Sequence, residues 1–105
     1  MTDMNFKNVE VAKKANIYSD GKVTSRTVTT AKGEKKTLGV MLPGKYNFNA
    51  QAPEQIDIMQ GRCKVRLNGA GAWTEYKAAQ SFKVPADTEF DIEVHELLDY
   101  ICNYG

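Results

Sequence analysis

Two segments of the chain alternate between apolar and charged side chains, and this pattern limits the fold more than any other feature. Apolar residues occupy every second position from 63 to 67 and from 90 to 94, with charged residues between them. A period of two is that of a β-strand with one buried face and one solvent face. The exposed rows are basic at 62, 64 and 66 and acidic at 89, 91 and 93. The two rows would be complementary if their strands were neighbours on the outer surface.

Turn-forming residues divide the chain from Ile17 onward into short segments. They are Asp20-Gly21, Lys32-Gly33, Pro43-Gly44, Gln60-Gly61, Asn68-Gly69 and Pro85. Because no pattern of helical period lies between them, we expect about eight to ten short strands in a sandwich or barrel. The lysine-rich segment 32–36 is predicted to be a solvated hairpin tip. Residues 1–15 are expected to form either a short helix or an arm that packs on the body.

Length and charge restrict the class of protein. The 105 residues fit one domain with one core. Fourteen basic and thirteen acidic side chains give a net charge of +1, so no overall field attracts nucleic acid or an anionic membrane. No apolar segment approaches the roughly 20 residues needed to span a bilayer, and the N-terminus lacks the apolar region of a secretory signal. We therefore expect a cytoplasmic protein that binds neither nucleic acid nor membrane.

The cysteines and the single histidine suggest no reactive centre. Cys63 and Cys102 fall inside apolar alternation, and their spacing fits no metal site, so both are expected to be buried reduced thiols. His95 stands among acidic residues near the C-terminus. It is expected at an exposed acidic edge and not in a catalytic dyad with a cysteine.

The segment 43–54, PGKYNFNAQAPE, is similar in spacing to a known motif. Gly44, Glu54 and Gly61, with the two positions 50 and 52, resemble the first motif of the cupins. The positions 79, 85 and 90, with Pro85 at the second, resemble the second motif. This resemblance implies an all-β domain of the cupin type, an RmlC-like β-barrel or jelly roll.

The metal ligands of that pattern are missing from this chain. Ala50, Ala52 and Phe90 stand where the cupins have histidines, and of the four ligands only the carboxylate of Glu54 remains. One carboxylate without an imidazole does not hold zinc, iron or manganese against water. We therefore expect no metal. Glu54 is either a solvent-facing residue at a strand entry or, since it shares parity with Ile56, an inward-facing one.

Longer strings extend the resemblance to one small family. The segments 18–25, 38–61, 82–94 and 100–104 are similar to the pyrimidine/purine nucleoside phosphorylases, a family of small single-domain cupins. The likeness runs from about residue 16 to the C-terminus, which implies a domain at 16–105 preceded by an N-terminal arm at 1–15. Ala79 departs from the glycine expected in relatives and makes that turn less permissive. Cupins commonly pair through sheet edges, so a homodimer is expected.

The resemblance also implies an activity. Members of that family cleave purine and pyrimidine nucleosides with inorganic phosphate as co-substrate, and the products are a free base and α-D-ribose 1-phosphate. The reaction needs neither a metal nor an organic cofactor. It does need an anion site, groups that bind the ribose hydroxyls, and a flat surface or a donor for the base. The alternatives are a non-catalytic cupin that binds a sugar or another small molecule, and a scaffold with a filled interior that dimerises through an outer strand.

Six residues are candidates for these roles. Glu54 is the catalytic candidate, since it could hold the ribose hydroxyls or face the positive charge of the transition state. Tyr46 and Phe48 share parity with Ala50 and Ala52 and should line the interior wall, where aromatic faces stack on any base. Lys22 and Arg26 are candidate phosphate ligands, although such residues are more often surface charges, and Tyr100 is a candidate donor, although such a residue is more often part of the core.

Overall fold

The all-β class is confirmed by the computed structural model, which describes residues 4–69 and 71–104. Residues 1–3 of the predicted arm and residues 70 and 105 of the predicted domain lie outside the described residues. The strands are β1 (Glu10–Val11), β2 (Asn16–Tyr18), β3 (Val23–Thr29), β4 (Lys35–Met41), β5 (Gly44–Ala50), β6 (Glu54–Leu67), β7 (Thr74–Lys77), β8 (Ser81–Val84) and β9 (Thr88–Tyr104). A single-turn 3-10 helix at Ser19–Gly21 joins β2 to β3.

Two long strands, β6 and β9, form the centre of the sheet and pair antiparallel along most of their length. The end of β9 pairs with β4 and its beginning with β5, while the beginning of β6 pairs with β8 and its later part with β7. β3 continues the sheet beyond β4. Strands from across the sheet contribute side chains to one buried cluster, for example Val23, Ile56, Val65 and Phe90. This arrangement gives the cupin-type jelly roll its single core.

The length of β6 corrects one prediction. Gln60-Gly61 was expected to end a strand, but β6 runs through it, and the pairing with β9 changes register on both sides of Gln60. Gly61 has a φ of +97°, and a Cβ there would collide with the carbonyl oxygen of Leu97. Only glycine fits both conditions, because a side chain is disfavoured at positive φ and the neighbouring backbone cannot move aside. The glycine therefore marks a bulge within β6. The number of strands agrees with the prediction, but two of them, β6 and β9, are long and not short.

The N-terminal segment is an arm over the part that is described. Glu10 pairs with Thr29 and Val11 with Val28, so β1 adds a short strand beside β3. The alternative of a short helix is wrong for residues 4–15, none of which is helical. Phe6 lies under the ammonium of Lys36, 5.8 Å from the ring centroid. The arm therefore packs on the outer surface of the sheet.

The charged rows pair as predicted. Lys64 lies opposite Glu93 and Arg66 opposite Asp91 in the β6–β9 ladder, and the Arg66 Nη2 to Asp91 Oδ2 distance is 3.0 Å. Hydrogen bonds from Asn47 and Arg66 lower the pKa of Asp91. The hairpin tip is also confirmed, although the turn itself spans 30–34 and β4 already begins at Lys35. No helix among the described residues has the length and apolar character needed to cross a membrane.

Candidate functional site

A cavity of about 200 Å³ lies on the inner side of the sheet, beside the buried cluster. Its walls come from β2, β3, β4, β5, β6 and β9, and the lining residues are Tyr18, Val23, Ser25, Thr37, Met41, Phe48, Asn49, Glu54, Ile56, Phe90, Tyr100, Cys102 and Tyr104. Three of them, Tyr18, Asn49 and Tyr104, are exposed and therefore mark the mouth. The lining contains several hydroxyl groups, one thiol and one carboxylate, and no lysine, arginine or histidine. Any ligand therefore meets neutral donors and a single acid.

Glu54 is the acid, and it faces the cavity as its parity with Ile56 indicated. It is the first residue of β6 and is half-buried. The Sγ of Cys102 donates a hydrogen bond to Oε1 of Glu54 at 3.3 Å. Burial raises the pKa of the Glu54 carboxyl above its ordinary 4.5, and the thiol hydrogen bond only partly opposes this. Because a thiol is a weak donor, the ionised carboxylate is poorly compensated where it stands.

Protonated groups of the C-terminal strand surround this carboxylate. Burial and the nearby Glu54 charge raise the pKa of Cys102 to about 12, so its thiol is neutral and unreactive. Thr37 lies opposite Cys102, and its Oγ1 is 3.2 Å from the Tyr104 hydroxyl. Burial also raises the pKa of the Tyr104 and Tyr100 phenols. At neutral pH these groups donate hydrogen bonds and do not act as bases or nucleophiles.

Tyr100, in the cavity wall, packs against a glycine of the neighbouring strand. It lies directly opposite Gly39 in the β4–β9 ladder, and a Cβ on Gly39 would be 2.6 Å from the ring and hydroxyl of Tyr100. The Tyr100 hydroxyl is hydrogen-bonded to Ser25. Asn16 Nδ2 in turn donates to Ser25 Oγ at 3.2 Å. The position of the phenol therefore depends on the absence of a side chain at position 39.

The predicted aromatic wall is present in part. Phe48 lines the cavity with Phe90, and their ring centroids are 5.7 Å apart. Tyr46 packs 6.3 Å from Phe48, but its hydroxyl donates to the carbonyl of Leu42 at 2.6 Å and its ring does not line the cavity. Ala52 does not line the interior wall as its parity predicted. β5 ends at residue 50, and the exposed chain beyond it no longer alternates.

The two predicted phosphate ligands lie elsewhere. Lys22 follows the 3-10 helix and is exposed. Arg26 points away from the cavity, because its neighbour Ser25 is the residue of β3 that faces inward, and its guanidinium donates to the carbonyl of Lys13. The structure thus brings together Glu54, Phe48 and Tyr100 but neither basic residue. A role for Lys22 or Arg26 in binding phosphate stays a prediction.

Several polar lining residues were missed from the sequence. Ser25, Thr37 and Cys102 are buried within β3, β4 and β9. Asn49 and Tyr104 were missed because they lie at strand ends, where alternation no longer shows which face a residue takes. The available signal was a small polar residue at an inward position, since an unfilled space or a ligand must then compensate the lost packing.

The donor set does not fit a metal. Of the three positions where a cupin has a histidine, Ala50 and Phe90 are buried and Ala52 is exposed. Within residues 4–69 and 71–104 no three histidine, cysteine or acidic side chains come close enough to hold an ion. A single carboxylate and a protonated thiol cannot replace imidazoles as ligands. We therefore derive no step of the chemistry through a metal.

The chain is similar over most of its length to one known family. The family model described as pyrimidine/purine nucleoside phosphorylase matches residues 13–104. The chain belongs to this family. Curated relatives of that name include one from Cupriavidus metallidurans, which is 54% identical over 95% of this chain and 97% of its own. Another, from Syntrophotalea carbinolica, is 50% identical over 94% of this chain and 95% of its own.

Solved structures of similar shape include both relatives and distant proteins. A protein of unknown function from Acinetobacter sp. ADP1 is 40% identical, has a TM-score of 0.92, and is matched over 96% of this chain and 98% of its own. The EutQ protein of Clostridium difficile has a TM-score of 0.66 at 12% identity, over 78% of this chain and 67% of its own, and shows the fold alone. The predicted family and the predicted cupin-type fold are both confirmed.

Proposed function

We propose that the chain is a nucleoside phosphorylase that transfers the ribosyl group of purine and pyrimidine nucleosides to inorganic phosphate. The observation that carries the proposal is the Glu54 carboxyl, which faces an apolar and hydroxyl-lined cavity without a basic side chain to neutralise it. A half-buried acid of raised pKa in a cavity is a candidate functional residue. Membership of the family supplies the class of reaction.

The reaction breaks the bond from the ribose anomeric carbon to the base nitrogen. The electron pair of that bond leaves with the base, positive charge develops on the ribose ring, and an oxygen of hydrogenphosphate forms the new bond to the anomeric carbon. The proton of hydrogenphosphate balances the reaction by ending on the base. An α-configured product requires that phosphate attack the ring face opposite the departing base. The phosphate and the base must therefore be bound on opposite sides of the ribose.

Glu54 is placed to act on the ribose. An ionised carboxylate attracts the positive charge that develops on the ring, and this attraction is stronger at a half-buried carboxylate than in bulk water. The carboxylate can also accept hydrogen bonds from the ribose hydroxyls, which orient the sugar. Since Oε1 is already bonded to Cys102, Oε2 is the oxygen that remains for the ligand. The ionised form is required for both roles, so turnover should increase as Glu54 loses its proton.

The base is expected against the aromatic side chains near the mouth. Phe48 and Tyr104 line the cavity, and Tyr18 is exposed beside them. Stacking on aromatic rings does not distinguish purines from pyrimidines, which accounts for broad choice of the base. The cavity of about 200 Å³ is smaller than the roughly 300–1,000 Å³ of most ligand sites. A nucleoside would therefore be enclosed in part, with the remainder at the mouth.

Phosphate would be bound by the neutral hydroxyl donors of the wall. Thr37 of β4 and Ser25 of β3 line the cavity. If Lys22 or Arg26 also contributes, replacing it with alanine should raise the KM for phosphate more than the KM for the nucleoside. Metal independence is part of the proposal, and a chelator should leave the rate unchanged.

One assay tests the proposed reaction. Purified protein is incubated with uridine, inosine or adenosine, with and without phosphate, and free base and ribose 1-phosphate are followed by chromatography. We expect both products only when phosphate is present. Base release without phosphate would indicate a hydrolase. Thermal stabilisation by nucleoside without turnover would favour the alternative, a non-catalytic cupin that binds a sugar or another small molecule.

A cytoplasmic homodimer stays a prediction. Ile17 and Leu38 line one groove on the outer face and are 66% and 37% exposed, which suits contact with a second copy. Light scattering on the eluting protein would give the mass of the assembly directly. A mass of one chain at micromolar concentration would contradict the dimer.

A further inference from the structure

Cys102 is the side chain that joins Glu54, the candidate catalytic acid, to β9 by a hydrogen bond. In the β6–β9 ladder Cys102 lies opposite Ile56, and Glu54 lies opposite Tyr104, so the thiol and the carboxylate are diagonal neighbours on the inner face. Diagonal neighbours are within reach of a long side chain. The carboxylate bends back along the strand pair, and Oε1 of Glu54 accepts from Sγ of Cys102 at 3.3 Å.

The carboxylate has no other support among the described side chains. Within residues 4–69 and 71–104, Cys102 is the one side chain that hydrogen-bonds Glu54, and no basic side chain lies in the cavity lining. Cys102 itself is 4% exposed and cannot swing away. Its backbone is fixed on one side by Thr37 and on the other by Ile56. The thiol is therefore a rigid donor, while Glu54 is the first residue of β6 and is only half-buried.

We propose that Cys102 is a positioning residue, which fixes Oε1 of Glu54 so that Oε2 faces the ribose in the cavity. This inference rests on the proposed function for its catalytic consequence, but the contact can be tested without turnover. The thiol neither attacks nor transfers a proton. It donates one hydrogen bond, favours the ionised carboxylate, and restricts its rotation.

A weak donor suits this task better than a strong one. A thiol bond holds the carboxylate in place, yet leaves most of its negative charge for the ribose ring. A cation in the same place would neutralise the charge on which transition-state stabilisation depends. Cysteine at position 102 thus combines placement with minimal neutralisation.

Cys63 provides a matched control. It is also a buried reduced thiol in the core, with an exposure of 0%, and it lies on the inner face of the same β6–β9 pair. It does not line the cavity. Replacing either cysteine with alanine removes one buried sulfur, but only Cys102→Ala removes a donor from Glu54.

The first readout is the titration of the Glu54 side-chain carboxyl carbon by NMR. Cys102→Ala should raise the apparent pKa of Glu54 by roughly half to one unit, the size of one lost hydrogen bond. Cys102→Ser supplies a stronger oxygen donor and should bring the value below that of the wild type. Cys63→Ala should leave it within about 0.2 units of the wild type. An unchanged Glu54 titration in Cys102→Ala would overturn the proposal, and so would an equal shift in both alanine variants.

The second readout is steady-state kinetics with uridine and phosphate. Cys102→Ala should lower kcat about tenfold with KM within about twofold, because a misdirected carboxylate loses contacts made only in the transition state. Cys102→Ser should recover most of the rate. If Cys102→Ala does not fold, the serine variant decides through the titration, because the stronger hydroxyl donor should lower the pKa of Glu54 below the wild-type value, and an unchanged or raised pKa would overturn the proposal. If the wild type shows no phosphorolysis, the proposed function fails, and the titration still judges the contact.

Discussion

Two carboxylates on β6 show how differently the two faces of one strand are built. Asp57 points outward and accepts hydrogen bonds from Ser81 at 2.7 Å, Asn103 at 2.9 Å and Gln55 at 3.0 Å. Although its partial burial opposes this, these donors lower the pKa of Asp57. Glu54, three residues earlier, points inward and has one thiol, and burial raises its pKa.

The two carboxylates differ in their contribution, one to stability and the other to the proposed function. The outer carboxylate links β6 to β8 and β9, and the Lys36 ammonium extends the network by donating to Asn103 at 2.6 Å. Such a satisfied network stabilises the fold. The inner carboxylate is left under-compensated, which costs stability and is typical of groups that act on a ligand. The same strand therefore carries a structural acid on one face and the proposed catalytic acid on the other.

The sharpest test exchanges each acid for its amide. Glu54→Gln should lower kcat at least about 100-fold, the usual loss when one group that stabilises developing charge is removed. Asp57→Asn should keep kcat within about threefold, because its side chain lies outside the cavity, but should cost about 1 kcal/mol of stability. The measurements are phosphate-dependent release of base and the midpoint of urea unfolding. A loss of turnover as large in Asp57→Asn as in Glu54→Gln would contradict the division between the faces.

A second test fills the glycine that supports the cavity wall. A Cβ at Gly39 would lie 2.5 Å from the Thr24 carbonyl oxygen and 2.6 Å from Tyr100, so Gly39→Ala must displace the phenol. We expect a loss of about 1–3 kcal/mol and at least a tenfold lower kcat, because overpacking shifts a lining side chain.

Gly33→Ala is the control for that substitution. Gly33 has a φ of +86° with open space around it, at the tip between β3 and β4. Alanine there should cost about 1 kcal/mol through backbone strain alone and leave kcat unchanged. If both variants lose stability equally and neither loses turnover, Tyr100 has no part in the site.

Much of this fold follows from the alternation, and the reason is physical. Where one face is buried, a shift of one residue would expose every apolar side chain, so the period of two sets both the strand and its face. The paired rows around Arg66 and Asp91 were predictable for that reason. The continuity of β6 was not, because a glycine at positive φ ends a strand in one context and forms a bulge in another.

The site was harder to predict than the fold. Inward parity identified Glu54 and Phe48, since each lies two positions from a buried residue of its own strand, Ile56 and Ala50. It misplaced Ala52, which follows a strand end, and periodicity says nothing about which charged residue reaches a cavity. Arg26 has a guanidinium suited to phosphate, but it lies on the face of β3 that is turned away from the cavity. The Cys102 contact depends on a diagonal between strands that are far apart in sequence, and alternation along one strand does not contain it.

The pH dependence of stability should separate the two acids again. Glu54 has a folded pKa above its ordinary 4.5, so the folded state keeps its proton longer than the unfolded state. Its contribution therefore lowers stability as pH rises through the window immediately above 4.5. Asp57 has a folded pKa below 3.8, so its contribution is present above that pH and is lost as pH falls below it.

Urea unfolding of three proteins between pH 3 and pH 7 would resolve the two contributions, a range of roughly one unit or more beyond each ordinary pKa. Glu54→Gln should gain stability relative to the wild type as pH rises above 4.5. The deficit of Asp57→Asn should shrink as pH falls below 3.8. A Glu54→Gln curve parallel to that of the wild type would show that the inner carboxyl is not strained by its burial.

The smallest expected effect lies at an outer turn and tests whether stability can change there without changing turnover. Ala79 sits between β7 and β8 with a φ of 72°, and its N–H donates to the carbonyl of Ile58 at 2.9 Å. Alanine at this φ is strained, so Ala79→Gly should stabilise the protein by about 0.5–1 kcal/mol after the entropy of glycine is subtracted. Asp87, with a φ of 55°, is a control, because aspartate tolerates this region better than alanine. Asp87→Gly should therefore gain less, and kcat should be unchanged in both variants. A change in turnover at Ala79 would mean that the outer turn and the inner cavity are coupled through β6, and that the two faces of the strand are not independent.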